Sequence, residues 1–139
     1  MVTFRYKEKK KQNPYLIFEV YNIMSKGDFH QKLSMVNDIT LSVKGRKSGK
    51  YIPRPVWFAH EGNTLYLLPN RGSDTQWYKN LLAGSILKIS VKGLEVSVRG
   101  KSITDRKGVD DVMNRFQFKY GQASKKYFTN FDVAVKVRL

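Results

Sequence analysis

The sequence predicts an α+β fold: a small, mainly antiparallel, six-stranded β-barrel with flanking helices. Three observations lead there. Leu87, Ile89 and Val91 alternate with Lys88, Ser90 and Lys92. After Gly93 the alternation resumes, with Leu94, Val96 and Val98 against Glu95, Ser97 and Arg99. That period of two, broken at a glycine, marks a hairpin with one buried and one wet face. Finally, strand-like runs do not alternate regularly with long helical ones, so a doubly wound parallel sheet is not expected.

The elements follow in order. Residues 1–12, with Lys7, Lys9, Lys10 and Lys11, read as a basic arm ahead of a single domain at 13–139. Asn13-Pro14 has the form of a helix start, Asn as cap and Pro in the first turn. Tyr15, Ile17, Phe18, Tyr21 and Met24 carry its apolar stripe towards Lys26-Gly27. Residues 28–38 are less regular. Ile39–Lys44 reads as a strand, and Tyr51–His60 as a second one beyond a glycine-bounded turn. Pro53 and Pro55 remove amide donors from one side of that second strand, so it is bulged or lies at a sheet edge. Glu61-Gly62-Asn63 is a turn and Thr64–Pro69 a short strand. Ser73 and Gln76 fit a capping box, with Ser73 as cap, for a helix that stops at Gly84. The hairpin comes next. A helix from about Asp105 to Tyr120 presents Val109, Val112, Met113 and Phe116, and Val133, Val135, Val137 and Leu139 close the chain as a strand.

Composition narrows the function. The chain has 139 residues, is 41% hydrophobic and contains no cysteine. Disulfides, thiolate metal sites and cysteine nucleophiles are therefore excluded. No apolar run approaches the roughly 18–20 residues of a membrane helix, and no signal-peptide core precedes the domain, so a cytoplasmic location is expected. A net charge of +15 favours an anionic partner: nucleic acid, an acidic lipid surface or a small polyanion.

Gly45-Arg46-Lys47-Ser48-Gly49-Lys50 concentrates that charge in one turn between two strands. Its glycines let backbone amides face a bound anion, while Arg46, Lys47 and Lys50 supply cations. It is not a Walker loop. The glycine spacing is one residue short, and Tyr51 follows the lysine where Ser or Thr would hold magnesium. An exposed turn with solvated charges is the competing reading.

Catalytic constellations are otherwise sparse. His30 and His60 lack the spacing of a zinc helix, so no metal site is expected, and His60 reads as a solvated strand-end residue. Asp110-Asp111 reads as surface. An enzyme of this composition relies on a cofactor that brings its own reactivity.

Gly45-Arg46-Lys47-Ser48-Gly49, then Pro55-Val56-Trp57-Phe58, then Gly72-Ser73-Asp74 with Trp77-Tyr78-Lys79-Asn80-Leu81, together resemble the deazaflavin-dependent nitroreductase family. The resemblance spans about residues 39–100, more weakly 127–139. It implies a split β-barrel of the FMN-binding type. It also implies hydride transfer from reduced coenzyme F420 to a small electrophilic acceptor: an enone, quinone or nitro compound. Carried over by residue, Arg46, Lys47 and Ser48 bind the coenzyme's anionic tail, beside Gly49 and Lys50 of the same turn. Pro55, Val56 and Trp57 line the pocket for its ring, and Arg71, Gly72 and Ser73 with Trp77, Tyr78 and Lys79 close the opposite side. Where the family often has an arginine this chain has Ile52, but Arg54 lies on the same strand face and reaches for the same anion. Tyr78 and Lys79 are the candidate catalytic groups, stabilising developing charge or delivering a proton.

Other readings stay open. FMN suits the same turn through its phosphate, and the barrel could carry a deazaflavin without turnover. A nucleic-acid-binding barrel accounts for the charge and the aromatics, although the sequence offers no RNA-binding signature. Pairing into a homodimer, and peripheral contact of the basic arm with lipid, are compatible with all of these.

Overall fold

The computed structural model describes residues 3–5 and 27–139. The helix expected over 13–26, and the basic arm apart from three residues, lie outside the described residues. Within that arm, Thr3–Arg5 forms β1 and pairs with Glu95–Ser97. The remaining strands are β2 (Asp38–Lys44), β3 (Tyr51–Trp57), β4 (Ala59–Glu61), β5 (Thr64–Leu67), β6 (Ile86–Val91), β7 (Leu94–Ile103) and β8 (Ala134–Arg138). Helices are α1 (residues 27–33), α2 (Gln76–Gly84), α3 (Arg106–Tyr120) and α4 (Ala123–Tyr127).

Every strand pair is antiparallel, and the sheet runs β3-β2-β6-β7-β8-β5-β4 with β1 added to β7. The sheet curls because β7 serves two halves. Its first part pairs with β6, and Gly100–Ile103 pairs with β8. The change of partner falls at Gly100, where a Cβ would press on Leu81 and Leu87 at 3.0 Å. This half-barrel with flanking helices is the architecture expected.

Inward positions fill it at a strict period of two: Ile39, Leu41 and Val43 from β2, Leu87, Ile89 and Val91 from β6, and Val135 and Val137 from β8 are all buried. Trp77, Tyr78 and Leu81 of α2 plug one opening, and Phe29 and Leu33 of α1 join the same core. On the outer face, Val109, Val112 and Phe116 of α3 cover Ala59, Leu68, Phe128 and Ala134. No helix among the described residues is long and apolar enough to cross a membrane.

Several expectations are corrected. Residues 28–38 are not irregular throughout, because Phe29 and Leu33 stand one turn apart and anchor α1 in the core. The strand expected over Tyr51–His60 breaks at Phe58, where the chain leaves β3 for β4. Tyr120 fixes that corner: its hydroxyl accepts from the Phe58 amide at 3.0 Å and lies 2.6 Å from the Asn37 carbonyl. With this split and β1, the described residues form eight strands rather than six. Ser73 is not the cap of α2. It sits in a 3-10 turn, Gly72–Asp74, and Thr75 occupies the cap position with its hydroxyl turned to the Arg71 amide. Finally, α4 has no period long enough to register in the sequence.

Candidate functional site

A cleft of about 240 Å3 opens beside β3, walled by Arg54, Pro55, Val56 and Trp57, by Leu68 and Asn70, by Trp77, and by Tyr127 and Phe128. Its position follows from the edge strand. β3 ends the sheet, as its two prolines require, and its side chains are largely uncovered. The far wall is drawn in by hydrogen bonds: the Thr129 amide donates to the Asn70 carbonyl at 2.9 Å, bringing the end of α4 against the loop after β5.

That loop is pinned from below. Gly72 takes φ +58°, and a Cβ there would run into Asp132 and Asn130. The next residue, Ser73, donates to Asp132 through its amide at 2.9 Å and its hydroxyl at 2.5 Å. The Ser73 hydroxyl, above all, holds the Asp132 carboxyl below its ordinary pKa.

Two residues give the cleft its character. Arg54 has a buried Nε with no hydrogen-bond partner. A buried donor left unpaired is costly, and a guanidinium lining an opening invites an acceptor into it. Trp57 stacks on Tyr120 at 4.3 Å and on Tyr127 at 4.8 Å between ring centroids. Its indole is thus a rigid wall already engaged by side chains of this chain.

The cationic turn joins β2 to β3, whose pairing runs from Asp38↔Trp57 to Lys44↔Tyr51. Gly49 adopts φ +72° to close it. Arg46 is exposed, yet its side chain is held against α2. Its Nη1 donates to Asn80 Oδ1 at 2.6 Å, its Nη2 to Gln76 Oε1 at 3.0 Å, and its amide also donates to Asn80 Oδ1 at 3.1 Å. The Gly45, Gly49 and Lys50 amides are likewise paired within the turn. Residues 46–50 are all exposed, and of the turn's cations Lys47 and Lys50 are the ones not engaged by α2.

Of the expected ring pocket, Arg54, Pro55, Val56, Trp57 and Trp77 come together in one wall. Arg71, Gly72 and Ser73 adjoin Asn70 but do not line the cleft. Neither expected catalytic group lines it. Tyr78 is in the core with its hydroxyl 2.6 Å from Ser102 Oγ, and Lys79 is half-buried on α2, outside the wall. Leu68, Asn70, Tyr127 and Phe128 were missed as wall residues. The only signal for the last two was the weaker likeness of the closing segment.

His60 also departs from expectation. Rather than being solvated, its ring meets His30 edge-on at 5.3 Å, and its Nε2 is buried.

Comparisons with known proteins bear on the fold. A family model described as an uncharacterized protein conserved in bacteria (DUF2255) matches residues 31–136. None of the curated proteins matches the sequence. Among solved structures, the chain is similar to an F420-H2 dependent reductase, FDR-A, at 14% identity and TM-score 0.58, covering 73% of this chain and 94% of that one. It is similar to HutZ, the heme storage protein of Vibrio cholerae, at 9% identity and TM-score 0.62, covering 81% and 87%. A FAD-binding protein of Mesorhizobium loti matches at 14% identity and TM-score 0.57, covering 79% and 86%. At such identities the likeness establishes the fold, a split β-barrel of the FMN-binding type.

Proposed function

We propose that this chain, which belongs to the DUF2255 family, is a cofactor-dependent oxidoreductase using a deazaflavin, coenzyme F420. The observation that carries this reading is the unpaired, buried Nε of Arg54 in a cleft walled by Val56, Trp57 and Trp77. An acceptor group on a flat, largely apolar ligand satisfies both features.

Size argues for a cofactor that extends beyond the cleft. At about 240 Å3 it falls below the ~300–1,000 Å3 of pockets that enclose a whole ligand. It takes a ring system and leaves the rest outside. Lys50 precedes Arg54 by four residues of extended chain, about 13 Å. A long anionic tail spans that interval and reaches Lys47, Lys50 and the Lys47 and Ser48 amides. A single phosphate close to its ring serves one end only, which favours the deazaflavin over FMN.

When bound, the reduced deazaflavin supplies a hydride to a small electrophile such as an enone, quinone or nitro compound. The chain's own residues bind, orient and exclude water. Trp57, braced by Tyr120 and Tyr127, fixes one wall, and Leu68, Trp77 and Phe128 keep the interior dry. Arg54 and Asn70 are the polar groups of the wall, and Arg54 stabilises negative charge next to it. Arg46 positions the turn through Asn80 and Gln76 instead of meeting the tail. Tyr78 and Lys79 carry no chemistry in this reading.

Fluorescence titration of the purified protein with oxidised F420, and separately with FMN, tests it. Saturable binding of F420, weakened at least tenfold in a Lys47→Glu/Lys50→Glu variant that stays folded, is the expected result. Binding of neither, together with firm retention on nucleic acid, overturns the reading in favour of a nucleic-acid partner.

A further inference from the structure

A second cavity, about 530 Å3, lies between α3 and β4, the strand at the far end of the sheet from β3. It shares no wall residue with the cleft beside β3. Ala59, His60 and Glu61 form one side, and Asn114, Arg115, Phe118 and Lys119 the other.

Its charged groups are unequally occupied. Arg115 pairs with Glu61 and lies 4.7 Å over the Tyr66 ring, so its charge is largely answered. Lys119 has an exposed stem, but its ammonium is tucked 3.4 Å from the Phe58 ring centroid and donates to the Phe58 carbonyl at 2.8 Å. An ammonium has three donors, and one is used there. His60 has a buried Nε2 with no partner. Burial and the nearby His30 lower its pKa, a backbone hydrogen bond with Gly62 opposes them, and Lys119 lowers it least. Phe118 is 95% exposed at the cavity, off the stripe by which Val109, Val112 and Phe116 hold α3 to the sheet. It has no part in the core.

We propose that this cavity binds a small monocarboxylic acid with an apolar body. The carboxylate accepts from Lys119 Nζ, with the His60 ring of the same wall beside it. The apolar part lies on Phe118 and Ala59. A dianion such as phosphate suits the site less, because Glu61 stands at the same wall and already takes the Arg115 charge.

Titration of the full chain with benzoate, followed by NMR of the histidine ring and lysine side-chain signals, tests this directly. Benzylamine, of similar shape and opposite charge, and inorganic phosphate are the comparison probes. Benzoate should move the His60 and Lys119 signals saturably, and the other two should not. Lys119→Gln should weaken benzoate about tenfold, the loss of one charge-assisted hydrogen bond. Phe118→Ala, at a position the fold does not need, should weaken it several-fold. Unmoved His60 signals at millimolar benzoate, or equal affinity in both variants, would overturn the proposal. So would shifts confined to residues around Arg54, which would move the ligand to the other cleft.

Discussion

Asn80 on α2 holds Arg46 of the β2–β3 turn at two points, its Oδ1 accepting from both the Arg46 amide and the Arg46 guanidinium. One buried side chain thus fixes a loop that is otherwise exposed. The most conspicuous cation of the turn is engaged with α2. Replacing Asn80 by Leu keeps the volume and removes the acceptor. Stability should fall by about 1–3 kcal/mol, read as a lower urea midpoint, and any tail binding should weaken with the loosened turn. An unchanged midpoint would mean that Arg46 finds equal partners in water.

Among the described residues, Lys47 and Lys50 differ from Arg46 in having no side-chain partner to hold. Reversing both charges with glutamate should leave the urea midpoint within about 0.5 kcal/mol of wild type. F420 affinity should drop at least tenfold and lose much of its salt dependence, since exposed charge pairs are screened. Retained affinity with retained salt dependence would place the tail elsewhere.

Arg54 sets function against stability. Its Nε is buried without a partner, so Arg54→Met should leave the ligand-free protein as stable as wild type or more so, by up to about 1–2 kcal/mol. The same change should abolish detectable F420 binding. A variant that is both less stable and fully able to bind would show that the guanidinium serves packing alone.

The sheet was legible because its signals are local. Alternation across Gly93 and in Val133–Leu139 depends only on neighbouring side chains, and the two prolines of β3 announce an edge by lacking donors. What the sequence hid was decided by residues distant along the chain. Ser73 looks like a cap until Asp132, 59 residues later, claims its hydroxyl. Phe58 breaks a continuous apolar run because Tyr120 and Lys119 hydrogen-bond to its peptide groups. Tyr78 and Lys79 are adjacent in sequence, yet a helix turns one inward and leaves the other partly in solvent. In the candidate site, the strand that carries Arg54 to Trp57 was read from the sequence, whereas the opposing Tyr127 and Phe128 depend on how α4 docks.

Gly72 tests that long-range contact. Its φ of +58° and the closeness of Asp132 and Asn130 leave no room for a methyl group. Gly72→Ala should cost at least about 2 kcal/mol. Beyond this loss, Asp132 should return towards an ordinary carboxyl pKa as its hydrogen bonds from Ser73 are disturbed, visible in an NMR titration. A stable variant with an unaltered Asp132 titration would show that the loop after β5 adjusts freely.

The corner at Phe58 makes stability depend on alkaline pH. Desolvation lowers the Lys119 ammonium to about 8 from its ordinary 10.5. Between those values the unfolded chain keeps a proton that the folded protein has released, so stability rises with pH across that window. Tyr120 acts in the opposite direction. Desolvation raises its hydroxyl to about 12 from 10.0, so above pH 10 the unfolded chain ionises first and stability falls. The exposed stem of Lys119 admits water near the charge, which makes the rise shallow. Lys119→Gln removes the first effect and leaves the second. Its urea midpoint should therefore compare most favourably with wild type at pH 7 and lose ground steadily towards pH 10. A constant difference over that range would mean that the ammonium is solvated in the folded protein and that its place over the Phe58 ring has no energetic consequence.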